Sequence, residues 1–93
     1  MKPNVVIINS RDNVAIALED IKLGNHISLP DGQGFSALSD IPYSHKVALV
    51  DISPGKDVLK YGEVIGAASE YIRQGTWVHT HNLDTGEKKA GQE

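Results

Sequence analysis

Ala17-Leu18-Glu19-Asp20-Ile21-Lys22-Leu23-Gly24 returns 31 residues later as Ala48-Leu49-Val50-Asp51-Ile52-Ser53-Pro54-Gly55, and the fold is read from that echo. Around it runs a shorter pattern: isoleucine, two residues, a small residue, two residues, then a branched apolar residue. It occurs as Ile21-Gly24-Ile27, Ile41-Ser44-Val47, Ile52-Gly55-Val58 and Ile72-Gly75-Val78. The four isoleucines are spaced 20, 11 and 20 apart, so residues 17–47 overlay residues 48–78. Asp20, Asp40 and Asp51 precede three of them, and Tyr71 precedes the fourth. The chain is a duplicated unit in which each small residue makes a turn and the branched residue after it starts a strand. Two copies are too few for an open solenoid, which needs more repeats to cover its core, so the duplication predicts a closed domain with pseudo-twofold symmetry.

Short strands limited by Gly, Pro and Asp fill the rest. Val5–Asn9 reads as a buried strand. Val14–Leu18 reads as another, with Val14, Ile16 and Leu18 on one face and alanines on the other. Ile27 and Leu29 precede the turn Pro30-Asp31-Gly32, and Phe35–Leu38, Lys46–Val50, Val58–Lys60, Val64–Ala68 and Trp77–His81 supply further strands. Ala67–Gln74 has room for two helical turns, but Gly66 and Gly75 bracket it and Pro42 lies in its counterpart, so it reads as extended. The fold class is therefore all-β, with a domain over 1–83 and a polar tail over 84–93.

With 93 residues there is one domain, and with aromatics at 5% its small interior must be packed by Val, Ile, Leu and Ala. Nine basic against twelve acidic residues give a net charge of -3 and no basic stripe, which argues against nucleic acid and anionic membranes as partners. No cysteine is available for a disulfide or a thiolate metal site. The apolar run Val5–Ile8 is too short for a signal core or a membrane span, which makes the cytoplasm the expected location. Gly32-Gln33-Gly34-Phe35-Ser36-Ala37 matches the spacing of a dinucleotide fingerprint, yet Pro42 follows too soon for the helix that motif requires, so it reads as a loop.

Only the last copy of the pattern runs into Trp77-Val78-His79-Thr80-His81-Asn82, so its histidines are additions to the scaffold. On a strand, His79 and His81 leave the same face about 7 Å apart, beside Trp77, and two imidazoles so placed can converge on one cation. The same alternation also occurs on ordinary exposed strands. Asn82 suits either a hydroxyl ligand or the cap of a turn. His45-Lys46 fills the slots that Thr76-Trp77 fills in the last copy, and Lys60-Tyr61-Gly62 offers a cation and a phenol to a carboxylate. Solvated turns are the plain alternative for both. His26 reads as an exposed turn residue.

Four stretches recur in a known order: Asp12-Asn13-Val14-Ala15 through Asp20-Ile21 to Gly24; His45-Lys46-Val47-Ala48-Leu49 through Asp51-Ile52 to Gly55; Lys60-Tyr61-Gly62 through Ile65-Gly66; and Val78-His79-Thr80-His81-Asn82-Leu83. Together, over roughly residues 5 to 83, they resemble the SAF domain, a β-clip fold found at the N-terminus of altronate and galactarate dehydratases or as their separate small subunit. Ser44 departs from the pattern, where the family commonly has glycine, which leaves the tightness of that turn open. The resemblance implies elimination of water from a sugar acid to give a 2-keto-3-deoxy acid, with dependence on divalent iron or manganese. It also implies a large catalytic subunit or domain as partner, because this chain carries no carboxylate cluster and at most half a ligand set. A homo-oligomer stays open, as does the choice between a natural small subunit and a truncated chain. In this reading His79 and His81 serve catalysis or the metal, and His45, Lys46, Lys60 and Asn82 contact the substrate. The small subunit of sulfolactate sulfo-lyase, with sulfite as leaving group, and a noncatalytic binding or assembly module are the alternatives.

Overall fold

The computed structural model describes residues 2–85. Its strands are β1 (Val5–Val6), β2 (Val14–Ala17), β3 (His26–Ser28), β4 (Gly34–Ser36), β5 (Lys46–Ala48), β6 (Asp57–Lys60), β7 (Glu63–Ala68), β8 (Trp77–Val78) and β9 (Leu83–Asp84). They form an antiparallel sheet in the order β1-β2-β5-β8, the hairpin β3-β4, and a second sheet in the order β6-β7-β9. The described residues contain no helix, and so none long and apolar enough to cross a membrane.

The duplication governs the packing. Strand β5 is the repeat of β2, and the two pair antiparallel with Val14 opposite Ala48, Ala15 opposite Val47 and Ile16 opposite Lys46. Each residue thus faces the repeat of another residue of its own strand, which is the register a twofold axis between β2 and β5 produces. One core gathers Ala17, Ile21, Ile27, Ala37, Ile41 and Val47 with Val5 and Ala15. The other gathers their repeats, Ala48, Ile52, Val58, Ala68, Ile72 and Val78, with Val14. Ile21 bridges Ile41, and Ile52 bridges Ile72. All four isoleucines are buried, each contributing about 1.5–3 kcal/mol by leaving water.

The acidic residue before each isoleucine has a structural task. Asp20 accepts the backbone N–H of Tyr43, Asp40 that of Leu23, and Asp51 that of Gln74, each at 2.8 Å. Each carboxylate caps the turn facing it across an isoleucine bridge, in the way Asp side chains close turns elsewhere. At the fourth site the facing residue is Pro54, which has no N–H to cap. Tyr71 stands there instead, and its hydroxyl donates to Asp51 at 3.1 Å. Ser44 takes the left-handed conformation (φ 67°) that Gly75 takes in the other copy (φ 91°). Its turn closes equally tightly: Ser44 N–H reaches Ala17 O at 2.8 Å and Gly75 N–H reaches Ala48 O at 2.9 Å.

Several strands are shorter or differently faced than their composition suggests. The expected strand Val5–Asn9 stops at Val6, and Ile8 is exposed. Strand β2 lies between both cores, so its alanines are buried as well as Val14, while Leu18 is exposed. His26 begins β3 and is exposed, and the segment Gly32–Ala37 is the β3-β4 hairpin. The expected tail, 84–93, starts inside β9; residues 86–93 lie outside the described residues.

Candidate functional site

Strand β8 is an edge strand of the four-stranded sheet and ends at Val78, three residues short of the expected Trp77–His81. Asn82 is the cause. Its amide oxygen accepts the N–H of His79 at 2.9 Å, its amide nitrogen donates to the Trp77 carbonyl at 2.9 Å, and its own N–H reaches His79 O at 3.1 Å. These bonds coil residues 79–82 into a turn, a local side-chain to backbone solution that competes with strand extension. Asn82 is only 1% exposed and both ends of its amide are engaged. Of its two expected roles, hydroxyl ligand or turn cap, the structure shows the second: its amide is spent on the backbone of the turn that carries the histidines.

The turn still delivers both imidazoles to the indole of Trp77. His79 stacks on it at 5.2 Å between ring centroids and 8° between planes, and His81 lies against it at 5.3 Å and 48°. From β5 comes His45, at 5.6 Å from the indole and 5.0 Å from His79. The indole N–H donates to His45 Nδ1 at 3.1 Å. Trp77 is itself fixed: its backbone N–H donates to Ser39 Oγ at 2.9 Å, and its ring packs against the first core. His79 is half-buried and His81 exposed.

Two lysines complete the group. Lys46 leaves β5 next to His45, half-buried; its ammonium is pushed below the usual lysine range by burial first and by the charge of Lys60 second. Burial, then His45, Lys46 and His81, hold the His79 imidazole below the usual histidine range. Lys60 lies over the Tyr61 ring at 4.8 Å. The β6-β7 turn that carries this pair is clamped from β2's side: the buried carboxylate of Asp12 accepts the N–H groups of Tyr61 (3.0 Å), Gly62 (2.8 Å) and Asn9 (3.1 Å). Tyr61 and Gly62 both have positive φ, 58° and 77°. A tyrosine held there is strained, and the Asp12 clamp is what holds it.

Three of the six candidate residues, His45, His79 and His81, thus meet at Trp77. Lys46 lies opposite Val78 in the sheet, Asn82 pins the turn, and Lys60 sits over Tyr61, reaching the group only through its charge on Lys46. A cationic, imidazole-rich surface in a chain of net charge -3 suits an anion. For a metal the fit is partial. Neutral imidazole, the form His79 favours, is the ligating form, but no group of three His, Asp, Glu or Cys side chains among the described residues is placed to hold an ion. Three residues escaped the sequence reading: Trp77 as the hub, Asp12 as the clamp and Ser39 as the anchor of Trp77. Only Trp77 left a signal, as the single tryptophan beside the histidines.

Comparison with known proteins gives a consistent picture. The profile described as the Altronate/galactarate dehydratase SAF domain matches residues 3–86. Altronate dehydratase of Escherichia coli (strain K12) is 44% identical over 78 residues, covering 84% of this chain and 16% of that protein. Galactarate dehydratase (L-threo-forming) of the same organism is 41% identical over 71 residues, 76% of this chain and 13% of that protein. The (2R)-sulfolactate sulfo-lyase subunit alpha of Paracoccus pantotrophus is 46% identical over 50 residues, 54% of this chain and 75% of that subunit. The chain therefore spans less than a fifth of the dehydratases it resembles.

Proposed function

The chain belongs to the SAF-domain family of altronate and galactarate dehydratases, and from that membership and the site around β8 we propose that it is the small subunit or N-terminal domain of a sugar-acid dehydratase of the altronate type. The observation that carries this reading is the convergence of His45, His79 and His81 on one indole, with Lys46 on the neighbouring strand opposite Val78.

Elimination of water from a hexonate removes a weakly acidic proton next to the carboxylate, gathers negative charge on the carboxylate oxygens, and expels hydroxide that must be protonated. Lys46 and Lys60 attract the substrate carboxylate and offset the developing charge. His79, held neutral, is ready to accept a proton or donate a lone pair, and exposed His81 reaches a hydroxyl of the bound sugar acid. Among the described residues no carboxylate acts on His79 or Lys46 to complete the acid–base set, so the remaining groups come from a larger catalytic subunit or domain docked over this face. In such a shared site His79 and His81 are the residues of this chain that would hold divalent iron or manganese, whose charge would stabilise the enediolate.

The test is an assay of this chain with altronate or galactarate and divalent metal, alone and with its catalytic partner. The reading expects no turnover from the chain alone and turnover from the pair. Turnover by the chain alone contradicts it, as does a partner equally active without it. The alignment to a free-standing sulfo-lyase subunit supports one second reading, a sulfolactate enzyme; including sulfolactate in the same assay separates the two.

A further inference from the structure

We propose that Trp77 is a positioning residue that locks His45 into a single tautomer, making His45 a hydrogen-bond donor to an oxyanion of the ligand, such as a carboxylate, and neither a base nor a metal ligand. The indole N–H can only donate, and the atom 3.1 Å away is His45 Nδ1. A ring nitrogen that accepts this bond carries no proton, so the proton of the neutral ring sits on Nε2. The outer nitrogen of His45 is thereby an N–H donor, with no lone pair to give to a proton or a cation.

Trp77 cannot turn away to release that choice. Its backbone N–H donates to Ser39 Oγ, its backbone carbonyl accepts from buried Asn82, its ring packs on the first core, and His79 lies flat on its face. The three imidazoles around the indole therefore divide into one bound through a ring nitrogen, His45, one stacked on the ring, His79, and one tilted against it, His81. Lys46, whose charge acts on the same His79 that His45 contacts, supplies a cation beside this neutral donor for one carboxylate.

The assignment of the ligand rests on the dehydratase reading, whereas the tautomer does not, and the test separates them. In the uniformly 15N-labelled full chain above the histidine titration range, NMR should show coupling across the hydrogen bond between Trp77 Nε1 and His45 Nδ1, with His45 protonated on Nε2 alone. A His45 protonated on Nδ1 overturns the proposal whatever the assembled enzyme does. In the enzyme assembled with its catalytic partner, His45→Gln keeps an N–H near the position of Nε2, while His45→Asn keeps only an acceptor near Nδ1. The proposal expects His45→Asn to raise KM about tenfold with kcat little changed, and His45→Gln to raise it by less than about threefold. Equal losses of kcat in both variants would make His45 a base or ligand and overturn the donor role. An assembled enzyme inactive on every sugar acid would defeat the dehydratase reading while leaving the tautomer lock supported by the spectra.

Discussion

Gly75→Ser should be among the most damaging single substitutions in this domain, although the equivalent position of the other copy already holds serine. Ser44 is exposed and tolerates φ 67°, whereas Gly75 is buried at φ 91°. A Cβ at Gly75 would lie 2.5 Å from the Ser36 carbonyl oxygen and 3.4 Å from the Leu38 nitrogen, which are backbone atoms of the first copy. The left-handed conformation costs a side-chain-bearing residue about 1–2 kcal/mol. Relieving the overlap costs about 1–3 kcal/mol more, and the hydrogen bond from Leu38 N to Gly75 O at 2.9 Å, worth about 1 kcal/mol, is lost if the strands part. Restricting the unfolded chain offsets about 0.4–1 kcal/mol. The net expectation is a loss of about 2–5 kcal/mol, a large fraction of the total stability of a domain this size. In Ser44→Gly the relieved strain and the added unfolded-state freedom nearly cancel, leaving a change within about 0.5 kcal/mol. Urea denaturation followed by Trp77 fluorescence measures both. A Gly75→Ser loss below about 1 kcal/mol would refute the claim that this close approach joins the two copies.

The pH dependence of stability follows from His79. Its folded pKa lies below the ordinary value of 6.5, so between the two values the unfolded chain binds more protons; the contribution of the neutral ring is complete above 6.5 and is lost as pH falls through the lowered folded value. His79→Gln should therefore flatten the decline in urea midpoint below about pH 6.5, and an unchanged slope would contradict the assignment. Asp12→Ala removes the acceptor of three backbone N–H groups and should cost about 2–4 kcal/mol. Amide exchange at Tyr61 and Gly62 should accelerate more than in either core, and unaltered protection there would show that the turn holds itself without the clamp.

The duplication was legible because its signal is geometric: Ile21, Ile41, Ile52 and Ile72 each need burial, and a strand paired antiparallel with its own repeat, as β2 is with β5, is related to it by a twofold axis. The acidic residues before the isoleucines were visible as a pattern, but their task as caps depends on which turn faces them in space. The replacement of the fourth acid by Tyr71 makes sense only once Pro54 is seen opposite it. That His79 and His81 lie together beside Trp77 was legible, and the turn that carries them was not. Trp77 to His81 alternates as a strand should, yet Asn82 has two backbone partners within five residues and ends the strand at Val78. Periodicity cannot register such a competitor. The joining of His45 to Trp77 and the Asp12 clamp on Tyr61 link residues 32 and 49 apart, contacts that no local pattern encodes.

The central claim, that the face around β8 belongs to a shared active site, is tested most directly by the double variant His79→Ala/His81→Ala in the purified enzyme assembled with its catalytic partner. Both imidazoles rest on the indole of Trp77 and neither belongs to the two cores, so folding and assembly should be nearly unchanged. The account predicts that turnover of the sugar acid falls by about 100-fold or more, the scale of losing a positioned acid–base group. Turnover near that of the unaltered enzyme, with assembly saturated, would contradict it and leave this chain a structural role.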